Sequence, residues 1–402
     1  MPNQLIPLLI IRMDLKTIDV FFEKSAMLKK NIKALLLLSF VAACTEAPKN
    51  DYVFKEVNLD SADRDSAEFW DFYTDVTFIP LENSLKGMVY YAPKMVVADN
   101  VFYVLDRNES GAEVKKFDTD GHYLCSIGRL GHAKGEYQDL LDFAVSESGD
   151  TVVLLTRTSL MAYDSKGKYL FSENQFNDGS LRKIQGVKGG YLCTAEYSGA
   201  MHMLHRLDGK MRNVSESLPT NDVIIGVPSI VDNPIQQGDG ITYYYDSYTS
   251  TLYQMDEGNA EVRQAVCFSS KYALTAERFS DENVYDGNMD HVCEYQVDGN
   301  VVVGHVRLTE PSYGTPLFVY DVSTGKMSLH DSKYYSPRLA SVCNGYHYAL
   351  IAQDEFMEMH QVMKKYKKSD TFNSNYFDVA GSVDEKSNYV LMVAKSRKSY
   401  EK

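Results

Sequence analysis

The sequence predicts an all-β fold: a six-bladed β-propeller with a short amphipathic helix inserted in its last blade. Three observations carry this. A strand–gap–strand–turn unit repeats along the chain, and its spacing is regular. The composition favours Tyr (29) and Phe (18), with a single Trp. Aromatic and β-branched residues suit pleated, half-buried strands.

Each unit opens on an apolar strand and closes on an aromatic or aliphatic residue followed by Asp and a Gly turn. Val101–Leu105 leads to Phe117-Asp118-Thr119-Asp120-Gly121, and Val152–Leu155 to Tyr163-Asp164-Ser165-Lys166-Gly167. Gly190–Cys193 leads to Leu207-Asp208-Gly209, and Ile241–Tyr244 to Met255-Asp256-Glu257-Gly258. Val301–Val303 leads to Tyr320-Asp321-Val322-Ser323-Thr324-Gly325, and a sixth opening strand is Tyr346–Ile351. Most units recur about every 45 residues, the spacing of propeller blades. In the turns, Asp bonds its own backbone and Gly supplies positive φ. One four-stranded blade cannot bury both faces; blades packed around an axis can. A pair of sandwiches would need a linker between its halves, and none is visible.

Strand edges left open at the first and last blades invite aggregation. The strand Asp75–Leu81 is therefore expected to close the ring beside Tyr389–Ala394. Deletion through Pro80 should then destabilise the fold, and deletion through Asp65 should not. Between the last strands, Asp354–Lys368 carries Phe356, Met359, Met363 and Tyr366 at helical spacing. Acidic residues come first and lysines last, the order that suits a helix dipole.

Four segments follow: residues 1–26, an extension upstream of Met27 as the start; 27–43, a signal peptide; 44–72, a polar tether; and 73–402, the propeller. Lys29, Lys30 and Lys33 form a basic region. Ala34–Ala43 is apolar and too short to span a bilayer. The segment ends in Val41-Ala42-Ala43-Cys44, which resembles the lipobox of bacterial lipoproteins. That resemblance implies acylation of Cys44 and a membrane partner reached through the lipid anchor; two or more chains anchor stably. Asp60-Ser61-Ala62 and Asp65-Ser66-Ala67 resemble the O-glycosylation acceptor pattern of Bacteroidota envelope proteins.

The layout from about residue 44 to 396 resembles the six-bladed β-propeller lipoprotein family of Bacteroidota, relatives of NHL-repeat propellers. The likeness rests on the lipobox, on Phe78-Ile79-Pro80-Leu81-Glu82, and on Tyr103-Val104-Leu105-Asp106. It also rests on Ile127-Gly128-Arg129 leading to Gly135-Glu136-Tyr137, and on the late helix before Asn388–Ala394. Where the family usually carries Gly-Pro, this chain has Ala133-Lys134, which weakens any claim of a shared ligand at that loop. The resemblance implies a place in the bacterial cell envelope, lipid-anchored at the outer membrane.

The formal charge of −14 argues against nucleic acid, which needs a basic footprint. No phosphate-binding Gly-x-x-x-x-Gly-Lys, paired-Cys or His-Glu-x-x-His motif occurs, so no cofactor, metal ligand or catalytic residue is assigned. The five cysteines after Cys44 stand singly and read as free thiols. Candidate ligand contacts are the Gly-rich segment with Arg129, His132, Lys134 and Tyr137, which could cradle an anion. Tyr243, Tyr245 and Tyr248 could stack on sugar rings. The expected function is a non-enzymatic binding or scaffold module for a glycan, peptide or envelope protein. The alternative is a metal-dependent hydrolase or lyase with its site in the propeller channel.

Overall fold

A computed structural model describes residues 55–175, 181–195, 201–220, 230–238, 240–256, 261–273, 289–309, 314–332, 335–364 and 375–397. Cys44, the signal segment and the first part of the tether lie outside them, as do Gly258 and Tyr366. Six antiparallel sheets follow one another in chain order. Blade 1 runs from Lys94–Ala98 to Tyr123–Ile127, blade 2 from Asp142–Val145 to Tyr169–Asn174, and blade 3 from Lys183–Val187 to Asn213–Pro219. Blade 4 runs from Ile235–Gly238 to Val262–Ser269 and blade 5 from His291–Asp298 to Lys326–His330. Blade 6 comprises Ser341–Cys343, Tyr346–Ile351, Val390–Ser396 and Tyr73–Pro80. The first strand of each blade touches the first strand of the next, and blade 6 returns to blade 1. The ring is closed.

Period-2 alternation explains why the blade strands are apolar throughout. In blade 2, Val152 and Leu154 pack towards blade 1, whereas Val153 and Leu155 pack towards blade 3. Each pair of neighbouring blades encloses one hydrophobic cluster, so both sheet faces are buried.

The expected closure is present. Val76 pairs with Ala394 and Phe78 with Met392, antiparallel, and both Val76 and Phe78 are buried. The turns follow the predicted chemistry. Asp118 Oδ1 accepts from the backbone N–H of Asp120 (3.0 Å) and His122 (2.9 Å), and Asp164 Oδ1 does the same for Lys166 and Lys168 (2.9 Å each). Gly121 and Gly167 take φ of 86° and 82°. Blade 3 departs from this: Gly209 is not the left-handed residue, and Met211 (φ 65°) takes that place.

One expectation needs correction. The tether does not extend to residue 72. Lys55–Asn58 adds a parallel strand to the outer edge of blade 4, and Asp63–Asp65 adds one to blade 5. Phe69 and Trp70 then bury completely beside blade 6. Residues 55–80 thus strap three consecutive blades and cover their outer edges, the exposed backbone that sheets otherwise guard. The insertion in blade 6 carries the expected amphipathic helix and, besides it, a second one. Helix α1, Gln353–Met363, buries Phe356, Met359 and Met363 as its spacing predicted. Helix α2, Asn375–Ser382, buries Tyr376 and Val379. Among the described residues no helix is long and apolar enough to cross a membrane.

Candidate functional site

The innermost strands wall the axial channel. Two cavities there lie side by side and share Asn233, Gln296 and Ala340 as walls. The larger, about 340 Å³, takes residues from every blade, including Lys94, Glu147, Gln185, Gln236, Gln237 and Ser341. That volume sits at the small end of ligand pockets, roughly 300–1,000 Å³. The smaller, about 200 Å³, opens towards the crossover into blade 6 and is lined by Glu294, Tyr335, Arg338 and Glu355 among others.

In the larger cavity five amides, Gln185, Asn233, Gln236, Gln237 and Gln296, stand beside the charged Lys94, Asp99 and Glu147. Each amide carries donors and an acceptor without charge. The cation of the larger cavity, Lys94, is neutralised in place. Its Nζ sits 3.0 Å from Asp142 Oδ2 and 2.6 Å from the carbonyl of Ile184, and Asp142 Oδ2 also accepts from the Ile184 N–H at 2.8 Å. Blades 1, 2 and 3 meet in this knot. Burial lowers the Lys94 pKa, against the opposing pull of Asp142.

At the mouth, Glu294 and His305 face each other across adjacent strands of blade 5. Glu294 Oε1 contacts His305 Nδ1, and His305 Nε2 lies 2.7 Å from Ser336 Oγ.

The segment singled out as an anion cradle closes on itself. Arg129 pairs with Glu136, whose other oxygen accepts from the Ala133 N–H at 2.9 Å. His132 meets Gln138 at 2.9 Å, and Tyr137 is buried with its hydroxyl on the Ala112 carbonyl. The backbone and Arg bonds hold the carboxylate of Glu136 below its ordinary pKa range. Lys134 is exposed. With the arginine committed, the loop serves as a crossover between blades 1 and 2. Tyr243 and Tyr245 are buried between blades 4 and 5, and Tyr248 between blades 3 and 4. They present no ring face for a sugar: strand alternation turns Tyr243 and Tyr245 into an inter-blade core, and Tyr248 packs into one from the turn after the strand.

Among the described residues one group of three potential metal ligands is close enough to share an ion: Asp118, Asp120 and His122. It sits in an outer hairpin, away from the channel. Asp118 there accepts from two backbone N–H groups and bonds the His122 ring, so turn geometry accounts for the cluster. Cys125, Cys193, Cys267, Cys293 and Cys343 are free. Burial raises their thiol pKa values, so none is an activated thiolate.

Comparison with known proteins adds the following. The family described as "Domain of unknown function (DUF4934)" matches residues 54–395. No curated protein matches. A Bacteroides fragilis protein described as exported has a solved structure similar to this chain, with a TM-score of 0.64 at 14% identity; the alignment covers 85% of this chain and 100% of that one. A DUF4221 family member from Bacteroides vulgatus gives a TM-score of 0.49 at 11% identity, covering 81% and 98%. At this identity the first likeness shows the fold alone.

Proposed function

The chain belongs to the DUF4934 family, and on that premise we propose that it is an envelope-anchored binding or scaffold module. Its channel receives a neutral polar segment of a glycan, a peptide or a protein partner. The observation that carries this reading is the amide lining from several blades. Amides match hydroxyls and peptide groups, which likewise donate and accept. With Lys94 tied to Asp142, and with Glu147 and Asp99 in the same wall, the larger cavity offers no unpaired cation to a polyphosphate.

Gln237 is exposed in the wall and Gln185 half-buried. Replacing both with Leu keeps volume and removes hydrogen bonding. In a screen of glycan and peptide arrays, the double variant is expected to lose binding at least tenfold while melting like the parent. Unchanged binding would move the site out of the channel.

Envelope placement is supported by the exported neighbour and by the Val41–Cys44 pattern. In this reading Cys44 carries acyl chains that hold the NHL-like propeller at the outer membrane. Cys44→Ser is expected to abolish incorporation of labelled palmitate and to shift the protein from membrane to soluble fraction. Persistent labelling would refute the anchor.

A further inference from the structure

We propose that Ser336, His305 and Glu294 form a nucleophile relay at the channel mouth that cleaves O-acyl esters borne by the channel's ligand. The substrate class rests on the channel reading above; the relay itself rests on geometry.

His305 is buried, and each ring nitrogen has a side-chain partner. A carboxylate can only accept, so the nitrogen facing Glu294 must donate. Nδ1 therefore carries the hydrogen, and Nε2 presents its lone pair to Ser336. The serine hydroxyl is the donor of the 2.7 Å bond. This is the order of atoms that activates a serine: acid, oriented imidazole, hydroxyl. The tautomer is set by the carboxylate and the ring is held by packing.

The other buried histidines of the molecule make a contrast. His205 bonds the His202 carbonyl, and the half-buried His291 bonds the Met289 carbonyl, as a histidine serving structure does. His347 also lies between side chains, Tyr73 at 3.1 Å and Asp298 at 3.1 Å, but Tyr73 is sealed in the core. The buried His330 also meets a serine, Ser328 Oγ at 2.8 Å, but its Nδ1 has no hydrogen-bond partner among the described residues, so no carboxylate orders its ring. Among the described buried histidines, only His305 stands between a carboxylate and a serine hydroxyl. Ser336 is half-buried beside the mouth cavity, whose lining includes Glu294, Tyr335, Pro337 and Arg338 but not Ser336 itself.

The chemistry balances with water as co-reactant. Ser336 Oγ attacks the ester carbonyl carbon and gives its proton to His305 Nε2. The intermediate expels the alkoxide, which takes that proton and leaves as an alcohol. Water then attacks the acyl–serine carbonyl and passes a proton to Nε2. Collapse releases the carboxylic acid and returns the proton to Oγ. Arg338 places a cation on the same cavity, suited to the negative charge that develops on the carbonyl oxygen. Esters are the class because the neighbouring amides recognise hydroxyl-bearing chains.

The test uses the full chain, a fluorophosphonate probe and p-nitrophenyl acetate. A single adduct is expected on the peptide containing Ser336. Ser336→Ala should abolish it and lower ester hydrolysis at least 100-fold. Glu294→Gln, which keeps size and loses the orienting charge, should lower hydrolysis at least tenfold; thermal melts of both variants report folding. Glycan binding is measured on Ser336→Ala, where retained binding with lost hydrolysis supports the relay. No adduct at Ser336 in wild type, or Ser336→Ala as fast as wild type, overturns it. An adduct at Ser336 in a protein that binds no glycan overturns the ester-bearing glycan as substrate and leaves the nucleophile standing.

Discussion

Trp70→Ala is expected to destabilise the protein by about 3–5 kcal/mol, the usual cost of emptying a large aromatic site. The residue lies in a strap that composition marks as linker, yet it is fully buried. Phe69 meets it edge-on at 4.9 Å, and Phe78 of the closing strand lies 6.3 Å away. The same cluster holds Phe356 and Tyr376 from the two helices. The short turn carrying Trp70 is fixed by Glu68 and Asp71, which cap each other's backbone, and Ser332 donates to Glu68 at 2.6 Å. Removing the indole therefore opens a void where strap, closing strand and helices converge. The chain has one Trp, so its fluorescence reports this point alone. In wild type, the emission shift and the loss of far-ultraviolet sheet signal should coincide in urea, as one cooperative unit requires. Emission that shifts well before the sheet melts would make the strap an appendage. Deletion through Asp65 should also be costly, because it strips the parallel strands from blades 4 and 5.

How far the sequence could be read depends on where each element gets its stability. The blade strands were legible because both faces are buried, which makes Val152–Leu155 apolar throughout. The Asp turns were legible because their chemistry is local. The strap was not. Lys55–Asn58 docks through backbone bonds to an existing edge, and its side chains alternate half-buried with exposed. Leu59, Phe69 and Trp70 are diluted among Asp and Ser, so the segment reads as polar. The residues that line the channel were not legible for a related reason. The repeat was read from the second strand of each blade, whereas the lining comes from the first, as short as Ser341–Cys343. Arg129 and Tyr243 were conspicuous in sequence because of local density, and in the fold one is paired and the other buried. Glu294, His305 and Ser336 have no local motif, being 11 and 31 positions apart along the chain. Only the hairpin register and the crossover into blade 6 bring them together.

Asp142→Ala is expected to cost about 3–5 kcal/mol at neutral pH, because it strands the Lys94 ammonium in the channel wall. Both groups are buried, and Asp142 alone ties three blades by accepting from Lys94 and from the Ile184 N–H. The charge-free pair Lys94→Met with Asp142→Leu should cost less than Asp142→Ala alone, since it removes the ion rather than isolating it. The pH dependence distinguishes this cause from simple loss of packing. Burial lowers the folded-state pKa of Lys94 from its ordinary 10.5, and Asp142 is the main group raising it again. Without Asp142 the folded pKa falls further. Between that value and 10.5 the unfolded chain binds more protons than the folded one, so stability rises with pH across this window. The deficit of Asp142→Ala relative to wild type should therefore shrink as pH is raised from 7 towards 10. Urea titrations of both proteins across that range measure it. A deficit that stays constant would assign the loss to the Ile184 bond and to packing, and would remove Lys94 from the account.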